Sequence, residues 1–434
     1  MGENMLKRKL SLLLIIALLT LIITACPNNA EQVVDDQGTT TTESVAGDTL
    51  EPDLSDLSDI KPEWDLTLPA LKDVFAEHFA IGNIMEPGQL SQSDTTRMFL
   101  HHYNFVTAEN CMKPSNISRA TGSFNFGDTD RLIHWAETNN FKIHGHTLVW
   151  HSQSAAWLTT QEDRKTPLTR EEARNNMELY INEVAGRYAG QIHSWDVVNE
   201  AFLTNVSSTP DDWRTALRAH AEDAEGSPWY KAYDNGADHA NGEGGWDYIY
   251  DAYVFARAAD PNAILYYNDF NETYQGKRNA IAMMVEELNE IWKTDPRNTE
   301  PGRLLIEGIG MQAHYWTSDL KLDDVEDTII RFIETGVILS VSEIDIPLGS
   351  WRGYNEPTES NYRAQAYFYG NVFEIFLEYS EHIERVTFWG KQDNQSWRKN
   401  GYPMLFDEDL QAKPSYWAVV GTMGYTREDW EAGL

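Results

Sequence analysis

From residue 61 onward the chain alternates between two hydrophobic patterns. Short apolar runs rich in β-branched and aromatic residues are separated by longer stretches whose apolar positions recur every three or four residues. The short runs predict strands over 79–84, 104–109, 142–149, 192–199, 263–268, 304–312, 337–344 and 385–389. The longer stretches predict helices over 94–102, 128–140, 169–188, 247–259, 277–293, 323–335, 360–379 and 415–423. Thr169 followed by Glu172 forms a capping-box pattern at the start of one of them. Strand–helix alternation repeated eight times predicts a (β/α)8 TIM barrel of parallel strands, a single α/β domain over 61–434. The excess length falls after strand 4. Residues 201–245 form an extended loop, with a short helix predicted near 211–218 and a Gly-rich turn at 238–245. Such a loop sits on the face of a barrel where chemistry is placed.

The chain before residue 61 reads differently. Lys7, Arg8 and Lys9 precede the apolar run Leu10 to Ile23, which ends in Ile23-Thr24-Ala25-Cys26. The run is too short for an ordinary membrane span and has the order of a targeting signal. It resembles a bacterial lipoprotein signal over 1–26, in which cleavage leaves Cys26 as the lipidated first residue. Residues 27–60 are rich in Thr, Ser and Asp and offer little to bury, so a disordered acidic tether is expected. The protein is accordingly expected to be exported and lipid-anchored at the cell envelope or surface, or otherwise secreted. Its membrane contact would run through the anchor alone.

Composition narrows the partners. Basic residues number 34 against 68 acidic, a formal charge of −34. Nucleic acid is therefore excluded as an expected partner, because phosphate binding needs a basic face. A neutral polymer or small molecule fits better. Fifteen tryptophans supply core volume and candidate platforms for flat ligands such as sugars. Two cysteines, Cys26 and Cys111, preclude a disulfide framework and a multi-thiolate zinc site.

Every strand from the second to the eighth ends in polar or aromatic residues. They include Glu109-Asn110 with Lys113, His144 to His151, Asn199-Glu200, Asn268-Asp269, Gln312 with His314, Glu343 with Asp345, and Trp389 followed by Asp393 and Trp397. Convergent polar groups in one concavity define a site. Glu200 and Glu343 close strands 4 and 7, across the mouth from each other. Two carboxyls flanking a bond are what glycoside hydrolysis requires: one protonated to assist the leaving group, one ionised to attack.

The motifs Thr-Ala-Glu-Asn-Cys-Met-Lys-Pro (107–114), Gly-His-Thr-Leu-Val-Trp-His (145–151), Trp-Asp-Val-Val-Asn-Glu-Ala (195–201), Gly-Ile-Gly-Met-Gln-Ala-His (308–314) and Ser-Glu-Ile-Asp-Ile (342–346) are long and specific. With Trp389-Gly390 and Ser396-Trp397, they resemble those of the endo-1,4-β-xylanases of glycoside hydrolase family 10, from about residue 64 to 425. The resemblance implies a retaining (β/α)8 barrel that cuts xylan internally, with xylan and xylo-oligosaccharides as partners. It implies Glu200 as general acid/base and Glu343 as nucleophile. Asn199 would bond the 2-hydroxyl of the reacting sugar, His314 would orient Glu343, and Gln312 would support the site. His146, Trp150, Trp389 and Trp397 would line the reacting subsite; Glu109, Asn110 and Lys113 would bind the next sugar on the glycone side. No cofactor and no metal are implied, and a monomer is expected. His144, Cys111 and Ser342 depart from the usual motif, and the loop after Glu200 departs most.

The same residues admit other readings. His144 and His146 share one side of a strand, as two zinc ligands could, but His serves as readily in hydrogen bonding. A related barrel hydrolase acting on cellulose, mannan or mixed-linkage glucan is opposed by Glu109, Asn110, Lys113 and Trp397. A glycan-binding protein without catalysis is opposed by the intact pair. Trp213, Trp229 and Trp246 are expected to pack the extended loop. The stretch Trp351 to Tyr354 has a better claim to contact substrate.

Overall fold

The computed structural model describes residues 67–219 and 226–433. The signal over 1–26 with Cys26, and the tether over 27–60, lie outside the described residues. Eight strands close into a parallel barrel: β1 (Ala80–Met85), β2 (Phe105–Ala108), β3 (Lys142–Trp150), β4 (Ser194–Asn199), β5 (Ile264–Asp269), β6 (Gly308–Met311), β7 (Ile338–Ile344) and β8 (Ile383–Phe388). Neighbours in sequence are neighbours in the barrel, and β8 returns to pair with β1. An outer helix follows each strand, from Ser93–His102 after β1 to Pro414–Gly421 after β8. This is the (β/α)8 architecture that the hydrophobic pattern predicts. Among the described residues no helix is long and apolar enough to cross a membrane.

The strands are buried on both faces, which explains their near-continuous apolar runs. The barrel interior is filled rather than hollow. Arg385 is fully buried there, its guanidinium 5.1 Å from the Phe105 ring centroid and 4.9 Å from that of Tyr266. The capping box is present: the Thr169 hydroxyl accepts from the Glu172 amide, and the Glu172 carboxylate accepts from the Thr169 amide at 2.9 Å.

Two local expectations are corrected. Strand 6 is predicted over 304–312 but pairs only over Gly308–Met311. The amides of Leu305 and Ile306 donate to the Asn289 side chain, and Asn289 donates back to the Ile306 carbonyl. A helix side chain thus satisfies backbone groups that a neighbouring strand would otherwise take. The short helix predicted near 211–218 is a 3₁₀ turn, Trp213–Ala216, with the Asp212 side chain accepting from the Arg214 amide. A further helix, Pro228–Asp234, starts at a Ser227 cap within the same loop.

The extended loop after β4 folds against the outer helix Gln275–Trp292. The Trp213 indole donates to Glu287 at 2.8 Å, and Arg214 pairs with the same carboxylate. Trp213 and Trp229 are buried and Trp246 packs on the core, as expected of packing residues. After β7 the chain forms a two-stranded hairpin, pairing Gly349 with Tyr354 and Ser350 with Gly353.

Gly145 lies between His144 and His146 on β3, in register with Trp195 of β4. A Cβ at this position would come within 2.1 Å of the Trp195 indole. Gly145→Ala is therefore expected to cost about 1–3 kcal/mol of stability through overpacking, read as a lowered denaturant midpoint with an unchanged m-value.

Candidate active site

The site begins with two backbone bends. Glu200, the residue after β4, has φ 56°, and Ala313, shortly after β6, has φ 56°. Left-handed backbone at a non-glycine residue costs of order 1–3 kcal/mol and persists only where the surroundings impose it. At Glu200 they do. Its amide donates to the Asn268 carbonyl, its carbonyl accepts from Arg218 of the extended loop, and the next amide, of Ala201, donates to the Tyr267 hydroxyl. The bends turn the Glu200 side chain, and the Gln312 and His314 side chains flanking Ala313, towards a common set of partners.

Glu200 is held on both oxygens. Oε2 accepts from the Trp150 indole at 3.0 Å, and Oε1 accepts from the Gln312 amide at 3.0 Å and from Asn199 at 3.3 Å. Burial raises its pKa, and the nearby Asp269 and Glu343 carboxylates add to the rise, against the opposing donors Gln312 and Trp150. Asp269 is itself buried beside the Lys277 ammonium at 2.7 Å and the Tyr267 hydroxyl at 2.6 Å.

Glu343 has a different set of neighbours. Oε1 accepts from the Asn268 amide at 2.7 Å, and Oε2 lies 3.1 Å from His314 Nε2. His314 Nδ1 is 3.0 Å from Asp345. Burial opposes a charge on His314, but Asp345 and Glu343 outweigh it and lift the imidazolium pKa to about 9. Asp345 in turn accepts from the Trp397 indole at 2.9 Å and pairs with Arg398. One carboxyl is therefore surrounded by neutral donors, while the other adjoins a cation.

Amides link the two. Asn268 Nδ2 donates both to Glu343 and to Asn199 Oδ1, the latter at 3.1 Å. Gln312 Nε2 donates both to Asn199 Oδ1, at 3.2 Å, and to Glu200. Asn268 Oδ1 accepts from the Ser342 hydroxyl at 2.6 Å, which fixes the direction of that amide. Gly310 leaves room for it: a Cβ there would lie 2.4 Å from Asn268 Oδ1.

Aromatic and basic groups surround the pair. His146 Nδ1–H donates to the Asp196 carboxylate at 2.8 Å, and its ring meets Trp389 edge-on at 5.3 Å. His144 reaches the same Asp196 oxygen at 3.0 Å, and burial pushes its pKa down to about 4, leaving it neutral at pH 7. Trp397, 61% exposed, packs edge-on against His314 at 5.1 Å. The buried Lys113 lies 5.2 Å from the Trp150 ring centroid and donates to Asn110 at 3.1 Å. Glu109 sits beside Lys113 and Asn110, its pKa raised by burial against their pull. The donor atoms of His146, Asp196 and Glu343 lie within 4.8 Å of one another. Each residue is engaged in hydrogen bonds within the protein, His146 with Asp196, and Glu343 with Asn268 and His314.

Most of the residues singled out at the strand ends contact one another around Glu200 and Glu343; Asp393 instead pairs with the buried Lys413 at 2.9 Å and accepts from the Met404 amide, and Cys26 lies outside the described residues. Asn268, named at the end of strand 5, takes its role only from the partners seen here. Asp196 stands as a polar residue inside an otherwise apolar strand but received no role from the sequence. Glu86, just past β1, accepts from the Asn110 amide, and a search of every strand end would have found it. Arg398 carried no sequence signal beyond its neighbour Trp397.

A parallel (β/α)8 barrel with two carboxyls in unequal surroundings at its C-terminal mouth defines the class of barrel glycosidases. Residues 70–422 match the model of glycosyl hydrolase family 10, and the chain belongs to that family. It is 35% identical over 373 residues to endo-1,4-beta-xylanase A of Thermotoga neapolitana, an alignment covering 83% of this chain and 31% of that protein. It is 34% identical to the endo-1,4-beta-xylanase of Geobacillus stearothermophilus, covering 82% of this chain and 98% of the relative. The chain thus spans about a third of the Thermotoga relative and nearly all of the Geobacillus one. Among solved structures, a family 10 xylanase with a bacterial Ig-like domain from termite gut superposes with a TM-score of 0.72 at 39% identity, covering 86% of this chain and 81% of that one.

Asp269 raises the Glu200 pKa through its charge. Asp269→Asn is expected to lower it, since the like charge is lost and Lys277 is left uncompensated. The check is a carboxyl-carbon NMR titration of Glu200 in both proteins; an unmoved midpoint would show that the Asp269 charge does not reach it.

Proposed function

We propose that the chain is an endo-1,4-β-xylanase that cleaves xylan internally by a retaining double displacement. The observation that carries this reading is the asymmetry of the two linked carboxyls. Glu200, set among neutral donors with its pKa raised, suits the acid that protonates the departing glycosidic oxygen. Glu343, fixed by Asn268 and the His314 imidazolium, suits the nucleophile. Attack by Glu343 on the anomeric carbon would form a glycosyl-enzyme ester as the bond to the leaving oxygen breaks and Glu200 gives up its proton. Glu200, now a base, would take a proton from water, whose oxygen attacks the same carbon and releases Glu343. Two inversions at one carbon retain the configuration.

Asn199 contributes orientation. Its Oδ1 is committed to Asn268 and Gln312, and its Nδ2 gives one hydrogen to Glu200 Oε1, which leaves the second Nδ2 hydrogen to meet a sugar hydroxyl. His146, Trp150, Trp389 and Trp397 provide the faces and edges that would enclose the reacting sugar, with Lys113, Asn110 and Glu109 beyond it. The family and the xylanases to which the chain is similar support xylan as substrate.

Glu343→Ala is expected to lower kcat by several orders of magnitude on every xylan-type substrate, including aryl glycosides with good leaving groups. Glu200→Ala should spare the glycosylation step of those activated glycosides far more than xylan cleavage, because acid assistance matters less there. Steady-state and burst kinetics on both substrates check this, and equal losses would overturn the role assignment.

Export and anchoring through Cys26 are part of the same reading. The basic residues 7–9, the apolar run and the position of Cys26 support it. Cys26→Ala is expected to move the protein from the membrane fraction to the soluble fraction in fractionated bacterial cells, and an unchanged membrane fraction would remove the anchor from the proposal.

A further inference from the structure

We propose that the hairpin after β7 is a recognition arm for acidic side groups of the polysaccharide. In this assignment Trp351 stacks on a sugar ring and Arg352 pairs with the carboxylate of a uronic acid branch. The inference rests on the xylanase reading and extends it to the class of xylan preferred.

The hairpin is tied to the catalytic pair by consecutive contacts. Glu343 meets His314, His314 meets Asp345, and Asp345 pairs with Arg398. The Arg398 guanidinium lies 3.9 Å from the Trp316 ring centroid, and Trp316 packs against Tyr354 with centroids 5.5 Å apart. Tyr354 belongs to the hairpin, paired with Gly349. The base is firmly held. The Gly349 carbonyl accepts from the Ser318 amide, and the Gly349 amide donates to the Thr317 hydroxyl at 2.8 Å. Gly349 has φ 114°, and a Cβ there would fall 2.4 Å from the Gly353 carbonyl oxygen, so only glycine closes this pair.

Trp351 and Arg352 form the tip, between the paired Ser350 and Gly353. Trp351 is 66% exposed; with Trp397, which packs on His314, it is one of two tryptophans among the described residues with large exposure. The Trp351 amide donates to Asp319 at 3.1 Å and the Arg352 amide to the Ser350 hydroxyl at 3.2 Å, so the tip has a defined backbone. A tryptophan left largely in water on an anchored turn offers a flat face to a ligand.

Arg352 adds the charge. Its guanidinium lies 4.9 Å from the Trp351 ring centroid, and among the described residues no carboxylate forms an ion pair with it. This is notable in a chain of net charge −34, where most arginines find an acidic partner. A planar guanidinium held against an indole is pre-organised to take a carboxylate in two parallel hydrogen bonds. A neutral xylose backbone has no use for that fork. A uronic acid branch, whose carboxylate must also approach a strongly acidic protein, does.

The test compares the full-length protein with Arg352→Glu and Trp351→Ala on three substrates: glucuronoxylan, the same polymer after chemical reduction of its carboxyl groups, and unbranched xylohexaose. Arg352→Glu is expected to lower kcat/KM on glucuronoxylan about fivefold, the scale of an exposed charge pair, and to leave the other two unchanged. Added salt should shrink the difference between wild type and variant. Trp351→Ala should lower kcat/KM on both polymers, because stacking does not depend on the carboxylate. Equal effects of Arg352→Glu on all three substrates, or none on glucuronoxylan, would overturn the arm's role while leaving xylan hydrolysis intact. A wild-type protein inactive on all three would overturn the xylanase reading and this inference together.

Discussion

The double donation of Asn268 Nδ2, to Glu343 on one side and to Asn199 on the other, is the interaction on which the site depends. A primary amide has two hydrogens and no net charge, so it can hold a carboxylate without neutralising it. Through Asn199 and Gln312 the same chain of amides reaches Glu200. The two carboxyls are thereby kept at a set separation by rigid strands β4, β5, β6 and β7. Gly310 matters for the same reason, since any side chain on that part of β6 would displace Asn268.

The electrostatic division of labour follows from what stands behind each carboxyl. Behind Glu343 is a buried relay of His314, Asp345 and Arg398 that ends in a permanent cation. Behind Glu200 are an indole, two amides and, further back, the Asp269 carboxylate. Burying charge is expensive unless it is paired, and both arrangements meet that condition differently. On the first side the charges pair with one another. On the second, the cost of burial falls on Glu200 itself and raises its pKa, which is the property a general acid needs.

The extended loop after β4 is part of this arrangement rather than an ornament. Arg218 holds the Glu200 carbonyl in the left-handed bend, and Trp213 with Arg214 pins the loop to the helix Gln275–Trp292. That helix also carries Lys277, the partner of Asp269. Backbone strain at Glu200, the loop that sustains it and the charge that tunes it are therefore mechanically connected.

Hydrophobic period alone was enough to place eight strands and eight helices in the right order, because a parallel barrel buries both faces of every strand and leaves each helix one apolar stripe. The strand ends were legible for the same reason: polar residues stop an apolar run where the sheet meets solvent, and Glu200, Glu343, Gln312 and His314 all stand at or near such stops. Local pattern failed where a distant side chain supplied the hydrogen bonds, as Asn289 does for Leu305 and Ile306. It gave no role to Asn268, Asp196 or Arg398, whose importance lies in partners 50 or more residues away in sequence. Which amide faces which carboxyl, and which carboxyl adjoins a cation, are distances across the barrel. Only the closed fold sets them, because period and composition describe what each segment buries and not what it meets.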